Sequence, residues 1–106
     1  MHAAVGDKRE TLAELCWRFH VRRLEVFGSA ARGKDFDPSR SDADFLVEFE
    51  PDAKPNITLL LDFEEALARA LGRPVDLVER KVVEESPNYL RRRRILRDAE
   101  PIYVAG

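Results

Sequence analysis

Three aspartates and a glycine–serine pair carry the most chemistry in this chain. Asp42 and Asp44 stand two apart at the head of an alternating stretch, Asp42-Ala43-Asp44-Phe45-Leu46-Val47-Glu48-Phe49. Residues i and i+2 of a strand project to the same side. Two carboxylates placed so can share hard divalent cations that prefer oxygen ligands, such as Mg²⁺. Asp76 sits inside an otherwise apolar run, Pro74-Val75-Asp76-Leu77-Val78. A third carboxylate on an adjacent strand can bind one ion or take the proton of an incoming hydroxyl. Two ions about 4 Å apart would clamp the attacking and leaving oxygens of an in-line displacement at phosphorus. Gly28-Ser29 directly follows an alternating stretch that ends at Phe27. A glycine lets backbone come close to a ligand, and N–H groups at a helix start can cradle a phosphate. The Ser29 hydroxyl adds a donor, and Arg32, one short turn on, could neutralise triphosphate charge.

These residues need elements to position them. Leu12, Leu15, Cys16 and Phe19 fall at i, i+3, i+4 and i+7, which predicts a helix over 8–19 with one apolar stripe. Cys16 on that stripe reads as a buried core residue. Leu24 and Val26 alternate with polar neighbours and predict a strand over 22–27. A short helix from Ala30 would be stopped by Gly33. The turn formers in 34–41 predict a loop, and a second strand follows over 42–49. Asn56 is placed to cap a helix running to Leu71, with Leu60, Phe63, Leu67 and Leu71 on the core side and Gly72 as its stop. A third strand is expected over 74–78. Ser86-Pro87 reads as the cap and first turn of a helix to about Asp98, whose apolar stripe is poor. His20 is expected at the end of the first helix, and 101–104 as a last, edge strand.

Each strand has one apolar side: Leu24 and Val26, then Ala43, Phe45 and Val47, then Val75 and Leu77. The second and third put carboxylates on the other. The pattern implies a sheet with helices packed on one face and the other face open. Aspartate is depleted in strands, so three of them on one open face call for a reason.

Composition bounds the answer. With 106 residues, 44% hydrophobic and 36% charged, the chain reads as one globular domain, 1–106, and not as a disordered one. No apolar run reaches a membrane span of ~18 residues. No secretory signal is visible at the N-terminus, and the lone cysteine excludes an internal disulfide, which together point to a cytoplasmic protein. The net charge of −2 does not indicate a general nucleic-acid coat. The charge is unevenly spread, however. The stretch 42–65 is acidic, whereas Arg91-Arg92-Arg93-Arg94 with Arg97 forms a basic cluster, read as a solvated helix face or a contact surface.

Taken together, Phe27-Gly28-Ser29-Ala30-Ala31-Arg32-Gly33 and Ser41-Asp42-Ala43-Asp44-Phe45-Leu46-Val47-Glu48-Phe49 resemble the minimal nucleotidyltransferases of the DNA polymerase β-like nucleotidyltransferase superfamily. Pro74-Val75-Asp76-Leu77-Val78 is similar to that family's third acidic strand. The resemblance covers nearly the whole chain, from the first helix to Tyr103. It implies an α+β fold built on a small mixed sheet with an open catalytic face. It further implies nucleotide-binding roles for Gly28, Ser29 and Arg32, and catalytic and metal-binding roles for Asp42, Asp44 and Asp76. The cofactor would be Mg²⁺, two ions, and the substrate ATP, whose AMP passes to an acceptor hydroxyl. One departure is Ala43, where the family usually carries a larger aliphatic residue. The alanine side faces the core, so the change costs packing and not chemistry. Minimal members commonly pair with a small helical HEPN protein, and several pairs are toxin–antitoxin systems. In those, the nucleotidyltransferase adenylylates a tyrosine of the HEPN toxin. Larger relatives carry an acceptor-binding domain for which 106 residues leave no room, so a partner protein and a hetero-oligomer are expected. The alternatives are a small-molecule nucleotidyltransferase of antibiotic-modifying type and an antitoxin that neutralises its partner by binding alone.

Overall fold

Alternation in three strands and two amphipathic helices set the architecture. The computed structural model describes residues 1–33, 37, 42–54 and 56–105. A short helix α1 (Ala3–Gly6) leads into α2 (Arg9–Arg18) and strand β1 (Val21–Phe27). Helix α3 (Gly28–Arg32) follows without a gap, then β2 (Ala43–Phe49), a 3₁₀ turn (Pro51–Ala53) and α4 (Ile57–Leu71). The chain continues through β3 (Val75–Glu79), α5 (Arg80–Glu84), α6 (Tyr89–Asp98) and β4 (Glu100–Val104). The loop expected over 34–41 lies outside the described residues, apart from Asp37.

The strands form one mixed sheet in the order β3-β2-β1-β4. β1 runs antiparallel to both β2 and β4, whereas β2 and β3 are parallel. A parallel pair needs a long crossover, and α4 supplies it. Asn56 starts that helix as the sequence predicts: its Oδ1 accepts a hydrogen bond from the Leu59 N–H at 2.9 Å. Gly72 ends it at φ 67°. Asn56→Ala removes one partner of a helix-start N–H and is expected to cost about 1 kcal/mol, read as a lower urea midpoint with an unchanged slope.

The main core lies under α2 and α4. Leu24, Val26, Ala43, Phe45 and Val47 from the sheet meet Leu12, Cys16, Phe63 and Leu67, all fully buried. The Phe63 ring packs 5.4 Å from Phe19 and 6.0 Å from Phe49, centroid to centroid. Burial pushes the Cys16 thiol up to about 12, which makes it an inert core group. Ala43 faces this core, as expected. His20 comes just after α2 in the left-handed region, at φ 59°, and is exposed.

The opposite face is not bare throughout. Phe27, Leu46, Val83 and Ile95 form a second buried cluster, joined by Val78, Leu96 and Ala99. Helices α5 and α6 thus cover part of the face that carries the aspartates. The cause is visible in the strands: Phe27 and Leu46 sit on the polar side and need cover. Glu25, on the same side of β1 and 3% exposed, is held by Arg80 at the start of α5 and by Arg23, whose Nε lies 3.2 Å away. That ion pairing ties α5 to the sheet. The start of α6 also differs from expectation. Asn88, and not Ser86, is its cap, with Oδ1 accepting from the Arg91 N–H at 3.1 Å. Ser86 Oγ instead accepts from the Asn88 N–H. Tyr89 and Leu90 are exposed, and Ile95 faces inward.

Candidate active site

Strand register assembles the site. Phe27 is the ladder partner of Asp44 on β2, and Asp44 is the partner of Asp76 on β3. The turn that follows Phe27 is thereby set against Asp44. Gly28 adopts φ +67°, and a Cβ there would lie 2.7 Å from Asp44 Oδ2. Both the backbone sign and the close approach exclude an ordinary side chain at this position. Gly28 opens α3, and the residue before it, Phe27, gives the helix start no side-chain cap. Its first N–H groups therefore take no capping oxygen from that residue.

A cleft of about 440 Å³ opens at this turn. Gly28, Ser29, Arg32, Asp44 and Asp76 line it, so five of the six residues singled out from the sequence meet in one place. Asp42 is the sixth. It is exposed, sits one residue before β2 begins, and does not line the cleft. Its charge still reaches Asp44. Burial pushes the Asp44 carboxyl up to about 6; Asp76 and then Asp42 add to the rise, and Arg32 opposes it. Glu64 on α4 is also raised, by burial and then by Asp76. The floor of the cleft is therefore crowded with negative charge.

Such crowding suits a divalent cation, because all the donors are hard carboxylate oxygens whose mutual repulsion an ion would relieve. Among the described residues, no three acidic, histidine or cysteine side chains form a ready-made metal cage. Mg²⁺ characteristically binds through one or two carboxylates plus substrate phosphates, and not in an all-protein cage. Asp44 and Asp76, with Asp42 beside them, fit that manner of binding.

The second wall of the cleft was not anticipated from the sequence. It is one face of α6, formed by Arg91, Arg94, Ile95 and Asp98. The signal was present in their spacing: these positions fall at i, i+3, i+4 and i+7, one helix face. The run of arginines masked it. Arg32 reaches across to this wall, its Nη1 lying 2.7 Å from Asp98 Oδ2. The Asp98 side chain is only 12% exposed, and Arg97 Nε stands 3.7 Å from its other oxygen. A smaller apolar groove of about 250 Å³ lies beside the cleft between α5 and α6 and shares Arg91 and Ile95 with it. No described helix is long and apolar enough to cross a membrane.

Comparisons with known proteins bear on the family and the fold. The family model for the nucleotidyltransferase domain matches residues 8–102. The protein adenylyltransferase MntA of Thermococcus cleftensis is 45% identical over 65 residues, covering 61% of this chain and 62% of that protein. The matched stretches span less than two thirds of the curated relatives' length. A solved structure assigned as a minimal nucleotidyltransferase superposes with a TM-score of 0.72 at 33% identity, covering 95% of this chain and 96% of that one. A complex of the tri-AMPylated Shewanella oneidensis HEPN toxin with its MNT antitoxin contains the same fold, with a TM-score of 0.63 at 16% identity over 94% of this chain and 72% of the matched chain.

Proposed function

The chain belongs to the nucleotidyltransferase domain family, in its minimal form, and from that premise we propose that it is a protein adenylyltransferase serving as the antitoxin of a HEPN toxin. It would move AMP from ATP to a hydroxyl, a tyrosine by preference, of that partner. The observation that carries the reading is the ladder that sets Gly28 against Asp44 and Asp44 against Asp76. The names of the relatives supply adenylyl transfer and the HEPN acceptor.

In this reading the Gly28-Ser29 turn holds phosphate oxygens with backbone N–H groups and the Ser29 hydroxyl. Arg32, fixed by Asp98, presents positive charge beside them. Asp42, Asp44 and Asp76 would hold Mg²⁺, which when bound supplies Lewis-acid neutralisation of the phosphates. The acceptor oxygen attacks the α-phosphorus, and the bond from that phosphorus to the bridging oxygen of the β-phosphate breaks. Pyrophosphate leaves, and the acceptor proton passes to a carboxylate on the cleft floor or to solvent. Asp76 is exposed at that floor and can take it.

The test is transfer of label from α-labelled ATP to a HEPN-type partner protein. Asp42→Ala is expected to abolish it. Undiminished transfer by that variant would remove the mechanism. If Asp42→Ala with Asp44→Ala loses transfer yet still protects cells from the toxin, the protein neutralises by occlusion.

A further inference from the structure

The acidic floor of the cleft poses a problem for a nucleotide. A triphosphate in this cleft would have to lie against the carboxylates of Asp44 and Asp76, which line it together. Cationic side chains facing the phosphates would add to the Mg²⁺ that those carboxylates would hold. Among the described residues lining the cleft, the cations are Arg32, Arg91 and Arg94, and Arg32 is engaged by Asp98. We infer that Arg91 and Arg94 form a polyphosphate-binding wall, which holds the β- and γ-phosphates of the nucleotide before transfer and the pyrophosphate after it. The inference rests on the proposed nucleotidyl transfer and specifies how that site takes its substrate.

The structure separates these two arginines from their neighbours on α6. Arg92 Nη1 donates to the Ser86 carbonyl at 3.0 Å, and its guanidinium lies 5.4 Å from the Tyr89 ring centroid. Arg97 pairs with Asp98. Arg93 lines a neighbouring depression with Leu90, Arg94 and Arg97, and of these four only Arg94 also lines the cleft. Arg91 and Arg94 stand three apart, on the face that Ile95 anchors against the sheet. A guanidinium presents a planar fork of donors that matches phosphate oxygens, and two of them on one packed helix line the same side of the cleft. Both side chains are exposed, so truncation leaves no buried gap.

The experiment is equilibrium calorimetry with ATP, AMP and inorganic pyrophosphate, each with MgCl₂. The proteins are the native chain and the variants Arg91→Ala, Arg94→Ala, the double variant and Arg93→Ala, with thermal melts to show that each is folded. Each single cleft variant is expected to weaken ATP and pyrophosphate about tenfold, and the double about a hundredfold, from loss of charge-assisted hydrogen bonds. AMP affinity should not change. Arg93→Ala removes the same charge from the same helix and is expected to leave all three ligands within about twofold, because screening blunts a charge outside the cleft. Equal losses in Arg93→Ala, or an unchanged ratio of ATP to AMP affinity in the double variant, would overturn the wall. If either cleft variant melts below the assay temperature, Arg91→Lys and Arg94→Lys, which keep charge and lose the fork, must still weaken pyrophosphate more than AMP. A native chain that binds none of the nucleotides removes the nucleotidyl-transfer reading itself, a result distinct from native binding with unaffected variants.

Discussion

Gly28→Ala is expected to slow nucleotidyl transfer by about a hundredfold, the order that follows when a reacting group is misplaced by about 1 Å. A Cβ at this position would sit 2.7 Å from Asp44 Oδ2, and Asp44 would have to move. The same substitution also strains the backbone, since φ is +67°, at a cost of about 1–2 kcal/mol. The two effects can be separated within this protein. Gly72 has the same φ of +67° and nothing within 4 Å of a built Cβ. Gly72→Ala should therefore lose similar stability, for strain alone, and keep its transfer rate. The measurement is initial rate at saturating ATP alongside a thermal melt for each variant. Equal rate losses in both would show that strain, and not the approach to Asp44, sets the requirement for glycine at 28.

That contrast also shows which parts of the molecule could be read from the residues. Side-chain period is a local property, and the strands and α4 follow it: Leu24 and Val26, Phe45 and Val47, and Phe63, Leu67 and Leu71 are all buried as their spacing demands. The meeting of Gly28, Asp44 and Asp76 needed one more step, the lateral order of strands, which no single stretch encodes. The resemblance supplied it. The cover on the second face escaped for a physical reason. α5 is five residues long, too short to display a period, and α6 carries five arginines among its ten residues. Its inward side is small, Ile95 with part of Leu96, and its other contact with the body of the protein is polar. The Asp98–Arg32 pair joins residues 66 positions apart, and no sequence spacing announces such a contact. Asp42 shows the opposite limit. Its alternation with Asp44 is legible, but the ladder to β3 begins only at Ala43, so Asp42 lies at the rim.

Asp44 sets activity against stability. Asp44→Asn preserves the shape of the side chain and removes its charge. Transfer is expected to fall by about a thousandfold, the loss of roughly 4 kcal/mol of charge stabilisation at the oxygens proposed to hold Mg²⁺. The folded protein without ligands should move the other way. Burial, then Asp76, then Asp42 push the Asp44 carboxyl up to about 6, whereas an unfolded aspartate titrates near 4. Between those values the folded state binds the proton more tightly than the unfolded state, so stability falls as pH rises through about 6. Above that pH both states are ionised, and the folded state alone bears the crowding. With the group half-exposed and the interaction discounted for solvent screening, the cost is about 1–2 kcal/mol. Asp44→Asn removes it and is expected to raise the melting temperature by about 5 °C or more at pH 7.5. At pH 4, where the folded carboxyl is already protonated, the gain should largely vanish. Adding MgCl₂ should raise the melting temperature of the native chain at pH 7.5 and leave that of Asp44→Asn nearly unchanged, because ligand binding stabilises only what can bind it. A variant that is less stable than the native chain at pH 7.5 would show that Asp44 is held by favourable partners, and that its carboxylate is not the strained group on which ion binding would draw.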